Sequence, residues 1–480
     1  MQKKKQTGGT IGGRIYWVLL FFFAAFGALL LRIFILQVTN HQEYMTLAGR
    51  QHQNAVEFTK DRGTIYAQDK GANRIALGIN RTYKNLVASP KTLENPTSTA
   101  GHIAQEFNLS VDEVAKKLNK KDDPYEVLLK KVDEKKVEKT PVHLLEPGIF
   151  FEEEKGRTYP YGKLSAHILG FVSKEEEEEM GRYGIERFYE KNLNDGGEME
   201  VAEEGGEENS SGFWATIGRH IIARPQRGSD VLLTVDYNIQ VKAEEVLETT
   251  LKNWGAASGI VLILDPFTGK VLAQAARPTF DPNEFSKERD FSLFLNPAVE
   301  SMYELGSVIK PIIMAAGLEE KKIRPDTVYT DPGEIKIGGF TIKNFDERSY
   351  GLQTMTQVLE KSLNTGVVFV ARLLGREKEL EYLNRFGFGV KTGVDLPGEI
   401  SGNLANLKAG REIDFVTASF GQGIAVTPIQ LASAIGAIAN GGKLMHPYVV
   451  ESILEDSGNE IKKGPSVVRE VISPETAENL

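Results

Sequence analysis

The sequence predicts an α+β protein behind a single N-terminal transmembrane helix. Three observations predict it. An uncharged apolar run occupies residues 15–31 after a basic start. Near Pro225 the chain changes from irregular and charged to cleanly periodic. Beyond that point strand signals flank a helical block instead of alternating with helices, a pattern that favours a largely antiparallel sheet with segregated helices.

Length and composition set the outer limits. A chain of 480 residues has room for two or three domains with sizeable cores. Its net charge of −9 argues against the basic field that nucleic-acid binders use. Without cysteine it has no disulfide scaffold, thiolate nucleophile or Cys-ligated zinc. The seven histidines are scattered without an HxxxH pair, so no metal site is expected, and no organic cofactor is implied.

The N-terminal element is "IYWVLLFFFAAFGALLLRIFILQV", preceded by Lys3, Lys4, Lys5 and Arg14. Residues 15–31 span about 26 Å as a helix. Letting Arg32 snorkel and counting to Leu36 gives about 33 Å, enough for a hydrocarbon core of ~30 Å. The preceding charges put the N-terminus in the cytoplasm and the remainder outside. A cleaved signal peptide would have a shorter apolar region, with its small residues after the run; here Ala24 to Ala28 lie inside it. The expected division is a cytoplasmic tail at 1–14, an anchor at 15–38, a mixed region at 39–224 and a second, periodic region at 225–480.

Within 39–224, "HQEYMTLAGRQHQNAVEFTKDRGTIYAQDKG" reads as a helix leading into short strands, with Gly63 and Gly71 at turns. "STAGHIAQEFNLSVDEVAKKLNKK" reads as two small helices. "KEEEEEMGRYG" reads as a solvated helix face, and "EMEVAEEGGEENSS" as a linker or surface loop. After Pro225, "SDVLLTVD" is a strand and "YNIQVKAEEVLETTLKNW" an amphipathic helix. "SGIVLILDPFTGKVLAQAA" is a hairpin turning at Asp265-Pro266 and Thr268-Gly269, and a helix-rich middle follows from Ser307 to about Gly389.

The chemistry concentrates in "SMYELGSVIKPIIMAAGLEE", residues 301–320. Pro311 lacks an N–H and fits only in a first helical turn, so the helix begins at about Gly306 to Val308. Ser307 then sits at its N-terminus with Lys310 one turn on, on the same face and within reach of the hydroxyl. Helix dipole and burial both disfavour an ammonium there, moving the lysine toward a usable base. A neutral amine can take the serine proton as the hydroxyl attacks a carbonyl. Serine is also an ordinary N-cap and lysine an ordinary surface residue. Two features set this pair apart: it is the only SxxK in the chain, and its helix continues as apolar "PIIMAAGL".

These residues resemble the class B penicillin-binding proteins, membrane-anchored D,D-transpeptidases of peptidoglycan synthesis. "YELGSVIKPIIMAAGLEE" resembles their active-site signature, implying Ser307 as acylated nucleophile and Lys310 as base. "LEKSLNTGVVFVARLLG" resembles their Ser-x-Asn motif at Ser362 and Asn364. The resemblance implies that Ser362 relays a proton and Asn364 hydrogen-bonds the substrate amide. Ser401 to Asn403 and Ser457 to Asn459 also fit Ser-x-Asn, but in Gly-containing turns. "DRGTIYAQDKG", "GRTYPYGKLSAHILGFV" and "GRYGIERFYEKNLNDGG" resemble the family's pedestal motifs; "RGSDVLLTVDYNIQ", "LILDPFTGKVLAQAARPTFDPNEF" and "FGQGIAVTPIQLASAIGAIANGG" resemble transpeptidase landmarks. The implied architecture is an elongated mixed α/β pedestal followed by a penicillin-binding, serine β-lactamase-like transpeptidase domain.

The family's third motif, Lys-Thr/Ser-Gly on a sheet-edge strand, is the exception. "KTG" at Lys391 to Gly393 precedes Pro397, Gly398 and Gly402, a poor strand, and resembles a structural stretch instead. The expectation is that the chain is C-terminally truncated, with the true motif beyond Leu480, because "VISPETAENL" starts a helix at Ser473 and Pro474 that stops within one turn or two. The implied ligands are stem peptides ending in D-Ala-D-Ala and β-lactams, with a membrane glycosyltransferase and other division or elongation proteins as partners. A catalytically incomplete membrane scaffold and a D,D-carboxypeptidase are the alternatives.

Overall fold

The structure, a computed structural model, describes Phe26 and residues 61–120, 122–132, 134–141, 147–175, 178–194, 227–408 and 410–480. The expected anchor, save Phe26, the helix expected before Asp61 and the acidic linker lie outside these residues. No helix among the described residues is long and apolar enough to cross a membrane.

The central sheet is built from both ends of the chain. Its path runs Glu460–Lys462, Val450–Leu454, Asp230–Asp236, Ile65–Gln68, Arg74–Ala88 and Glu126–Val132, and Ile149–Thr158 also pairs with Arg74–Ala88. All pairings are antiparallel except Ile65–Gln68 with Asp230–Asp236, where Ile65 stands opposite Val231. The sheet therefore crosses the division expected at residue 225. Asp230–Asp236 is buried at its five central positions, as a strand covered on both faces must be, which explains its continuous "VLLTV".

Gly63 is not in a turn. It lies in extended chain against Ser229, where a Cβ would sit 1.8 Å from the Ser229 carbonyl oxygen. Its function is close backbone approach, and Gly71 does occupy the expected turn. The acidic run also differs from its reading: Val172–Glu175 and Glu178–Gly181 form an antiparallel hairpin. A helix would stack these like charges at spacings of three and four, whereas a strand sends alternate residues to opposite faces.

Three stretches distant in sequence converge on Glu186, which is fully buried. Arg62 Nε approaches its Oε2 at 2.6 Å and Arg157 Nε its Oε1 at 2.7 Å, while Arg62 also pairs with Glu190 at 2.8 Å. Burial pushes the Glu186 carboxyl up, but the two guanidiniums outweigh it and hold it below the usual range.

The two small helices appear as Pro96–Phe107 and Val111–Leu118, packing Ile103 and Leu118 against Leu86 and Ile149. Beyond the sheet strand, helix Tyr237–Trp254 is capped by Asp236, whose Oδ1 accepts from Asn238 N and Ile239 N. Its Ala243 and Leu247 cover Ala273 and Ala275 of the expected hairpin, Gly259–Leu264 with Val271–Arg277. The largest core joins helices Lys310–Glu319, Asn364–Leu374, Arg376–Arg385, Glu412–Ala418 and Pro428–Ala439. The expected helical middle is interrupted by short strands Val328–Asp331, Glu334–Ile337, Phe340–Lys343 and Gly351–Thr354. Their alternating burial is over in four residues, too short to stand out as a period. Helix Pro474–Asn479 does begin after Ser473, whose hydroxyl accepts from Thr476 N. It is tied to the end of Lys310–Glu319 by Glu319, which accepts from Ser473 N at 3.0 Å and Ser473 Oγ at 2.8 Å.

Candidate active site

A 3-10 turn, Gly306–Ile309, leads directly into helix Lys310–Glu319, with Pro311 in the first turn where no backbone donor is needed. In 3-10 geometry residues three apart eclipse, so Ser307 and Lys310 share one edge. The Lys310 N–H donates to Ser307 O, which closes the turn. Ser307 is exposed; Ile309, Ile312, Ile313, Met314, Ala315 and Ala316 are buried, so the apolar run anchors the helix as its sequence suggests.

The loop over residues 420–426 clasps this turn from the far side. Gly306 N donates to Gly421 O at 3.2 Å, Gly423 N to Glu304 Oε1 at 3.0 Å, and Tyr303 and Val426 exchange backbone bonds at 2.9 and 3.1 Å. Gly421 has φ +81°, and a Cβ there would lie 2.2 Å from Gly306 O. That is the physical need behind the glycine of "FGQG".

Lys310 is 1% exposed, and its Nζ has three acceptors: Ser362 O at 2.6 Å, Asn364 Oδ1 at 2.8 Å and Ser362 Oγ at 3.1 Å. Three acceptors match the three N–H bonds of an ammonium. Burial moves Lys310 down to about 8. No hydrogen bond among the described residues joins Ser307 Oγ to Nζ, in contrast to the expected contact; the amine is turned toward the Ser-x-Asn pair, which saturates it.

Ser362 and Asn364 are presented by a helix–helix junction. Helix Met355–Glu360 ends in a Schellman arrangement: Leu363 N donates to Val358 O at 2.9 Å and Ser362 N to Leu359 O at 3.1 Å. Ser362 occupies its left-handed position at φ +54°, where glycine is the usual residue. From that position both its carbonyl and its hydroxyl reach Lys310. Asn364 starts the next helix and is held at both ends, by Lys310 Nζ on Oδ1 and by Lys343 O, which accepts from Nδ2 at 2.8 Å.

The other candidates lie elsewhere. Lys391 to Gly393 is irregular loop, where Glu399 accepts from Thr392 N at 2.6 Å and Gly393 N at 3.0 Å. Asn403 exchanges backbone bonds with Ala425, and Ser457 to Asn459 form a turn around Glu455. None of them contacts Lys310. Sequence reasoning missed the Lys343 carbonyl, because a main-chain acceptor leaves no trace in residue type.

The sequence matches the family described as penicillin binding protein transpeptidase domain over residues 259–480, and that described as penicillin-binding protein dimerisation domain over 59–214. It is 30% identical over 484 residues to stage V sporulation protein D of Bacillus subtilis (strain 168), covering 98% of this chain and 72% of that protein. The chain belongs to the class B penicillin-binding proteins. Within this family of serine D,D-transpeptidases it is 28% identical to peptidoglycan D,D-transpeptidase MrdA of Escherichia coli (strain K12) over 475 residues, 90% of this chain and 72% of that one. Among solved structures, penicillin-binding protein 3 of Mycobacterium tuberculosis complexed with aztreonam superposes with a TM-score of 0.62 at 25% identity, covering 88% and 73% of the two chains. Penicillin-binding protein 2X of Streptococcus thermophilus shares the fold with a TM-score of 0.67 at 20% identity; this chain spans 64% of that structure's length.

Proposed function

We propose that this penicillin-binding protein cross-links peptidoglycan through an acyl-enzyme on Ser307. The observation that carries the proposal is the buried Lys310 amine, moved down to about 8 and held one eclipsed turn from the serine. Deprotonated Lys310 takes the proton of Ser307 Oγ as that oxygen attacks the carbonyl of the penultimate D-alanine. The ammonium so formed donates to three oxygens, of which only Ser362 Oγ carries a proton of its own to pass on as it receives one. That makes Ser362 the relay delivering a proton to the departing D-alanine nitrogen. An acceptor amine from a neighbouring stem then attacks the ester, its proton returns through the same pair, and Ser307 is regenerated. The second N–H of Asn364 Nδ2 is directed to a substrate carbonyl. A β-lactam acylates Ser307 in the same way.

On this reading residues 15–38 anchor the chain, 39–224 form the pedestal and 225–480 the transpeptidase region outside the cytoplasm. Donor stems end in D-Ala-D-Ala, and a membrane glycosyltransferase of the division or elongation machinery supplies the glycan strands. Labelling the full chain with a fluorescent penicillin tests the chemistry. A single adduct on Ser307, lost in Ser307→Ala, is the expected result. A folded wild type that takes no label would refute it and favour the scaffold.

A further inference from the structure

Beside the Lys343–Asn364 contact lies a second one between the residues that follow, Asn344 after strand Phe340–Lys343 and Thr365 in helix Asn364–Leu374. Asn344, Thr365 and Asp331 are 2%, 3% and 1% exposed and bond one another in a closed triangle. Asp331 Oδ1 accepts from Thr365 Oγ1 at 2.5 Å, its two oxygens accept from Asn344 Nδ2 at 3.1 and 3.0 Å, and Asn344 Oδ1 accepts from Thr365 N at 3.3 Å. Gly333 N and Tyr350 N complete the carboxylate shell at 3.1 and 2.9 Å. No cation pairs with Asp331 among the described residues; hydrogen bonds and the first turn of helix Asn364–Leu374 support its charge.

We propose that Asp331 is a positioning residue for acylation, clamping the strand end whose Lys343 carbonyl fixes the Asn364 amide against Lys310. The inference rests on Lys310 as the base. An amide has an acceptor end and a donor end, and two contacts choose its orientation here. If the Lys343 carbonyl swings away, the NH2 end is free to face Lys310, where it opposes an ammonium instead of accepting from it. Asp331 touches neither Lys310 nor Asn364; it acts through Asn344 and Thr365. Lys310 itself is paired with no acidic side chain among the described residues, so the Asn364 and Ser362 oxygens are its polar surroundings.

The decisive readout is Lys310 ionisation in the full chain labelled with 13C-lysine, its Cε resonance assigned with Lys310→Arg. Asp331→Asn and Thr365→Val each lower the Lys310 midpoint by about half a pH unit or more, because the ammonium loses an acceptor. Both slow acylation by a fluorescent penicillin about tenfold at an unchanged folded fraction, since misplacement near reacting groups costs rate steeply. Thr365→Ser keeps wild-type values. Folded variants whose Lys310 midpoint matches wild type overturn the clamp, and if Asp331→Asn does not fold, Thr365→Val decides alone. A wild type that takes no label refutes the Ser307 reading, while the titration still judges the clamp.

Discussion

Replacing Ser362 by glycine and by alanine separates what the residue costs from what it does. Its backbone is left-handed at φ +54°, a conformation that burdens a residue with a Cβ by ~1–2 kcal/mol. Its hydroxyl is one of three acceptors on Lys310 Nζ, worth about 1 kcal/mol as a single net hydrogen bond. Ser362→Ala loses the bond and keeps the strain. Ser362→Gly loses the bond and the strain together, so it is more stable than the alanine variant by about 1 kcal/mol after glycine's greater unfolded-chain entropy is deducted. In a chain of this length that is a melting difference of about 2 °C or less, best read from paired urea midpoints. Both variants lack the relay, so both acylate ~10²-fold or more slowly than wild type. An alanine variant as stable as the glycine variant would show that the left-handed position is not strained. Wild-type acylation in either would remove Ser362 from the proton path.

Four further outcomes follow from the structure. Acylation rises with pH through about 8, because the free amine is the reactive form; the base fraction grows about tenfold between pH 7 and 9, and a stopped-flow rate profile reads it. The folded lysine value lies below its unfolded one, so Lys310 also destabilises the fold below about pH 8 and stops doing so between there and its ordinary value near 10.5. Glu186→Gln leaves two buried guanidiniums short of their shared charge and destabilises the fold by about 3–5 kcal/mol, read as a lost or sharply lowered melting transition. Gly421→Ala forces a Cβ against Gly306 O and displaces the nucleophile turn, lowering the acylation rate ~10²-fold while the far sheet melts normally.

The Ser307–Lys310 turn was legible because Pro311 restricts where a helix can begin, a rule local to a few residues. Two other Ser-x-Asn triplets could be set aside for an equally local reason, the glycine turns that hold them. The acidic run after Lys174 was misread because charge alone does not tell a helix face from an exposed hairpin. Gly63 looked like a turn glycine, yet its constraint comes from Ser229, 166 positions further along the chain.

By itself the sequence pointed to the Ser307–Lys310 pair, the Ser-x-Asn motif at Ser362 and the penicillin-binding family they resemble, since each is written in neighbouring residues. Only the tertiary structure decided which atoms the base faces. The Lys310 amine meets Ser362 and Asn364 across more than fifty residues, the Lys343 carbonyl accepts from Asn364, and Asp331 in strand Val328–Asp331 holds the next residue, Asn344. The reason is physical. Spacing rules follow one helix or strand, whereas the direction of a buried hydrogen bond is set by whichever group packing brings opposite it.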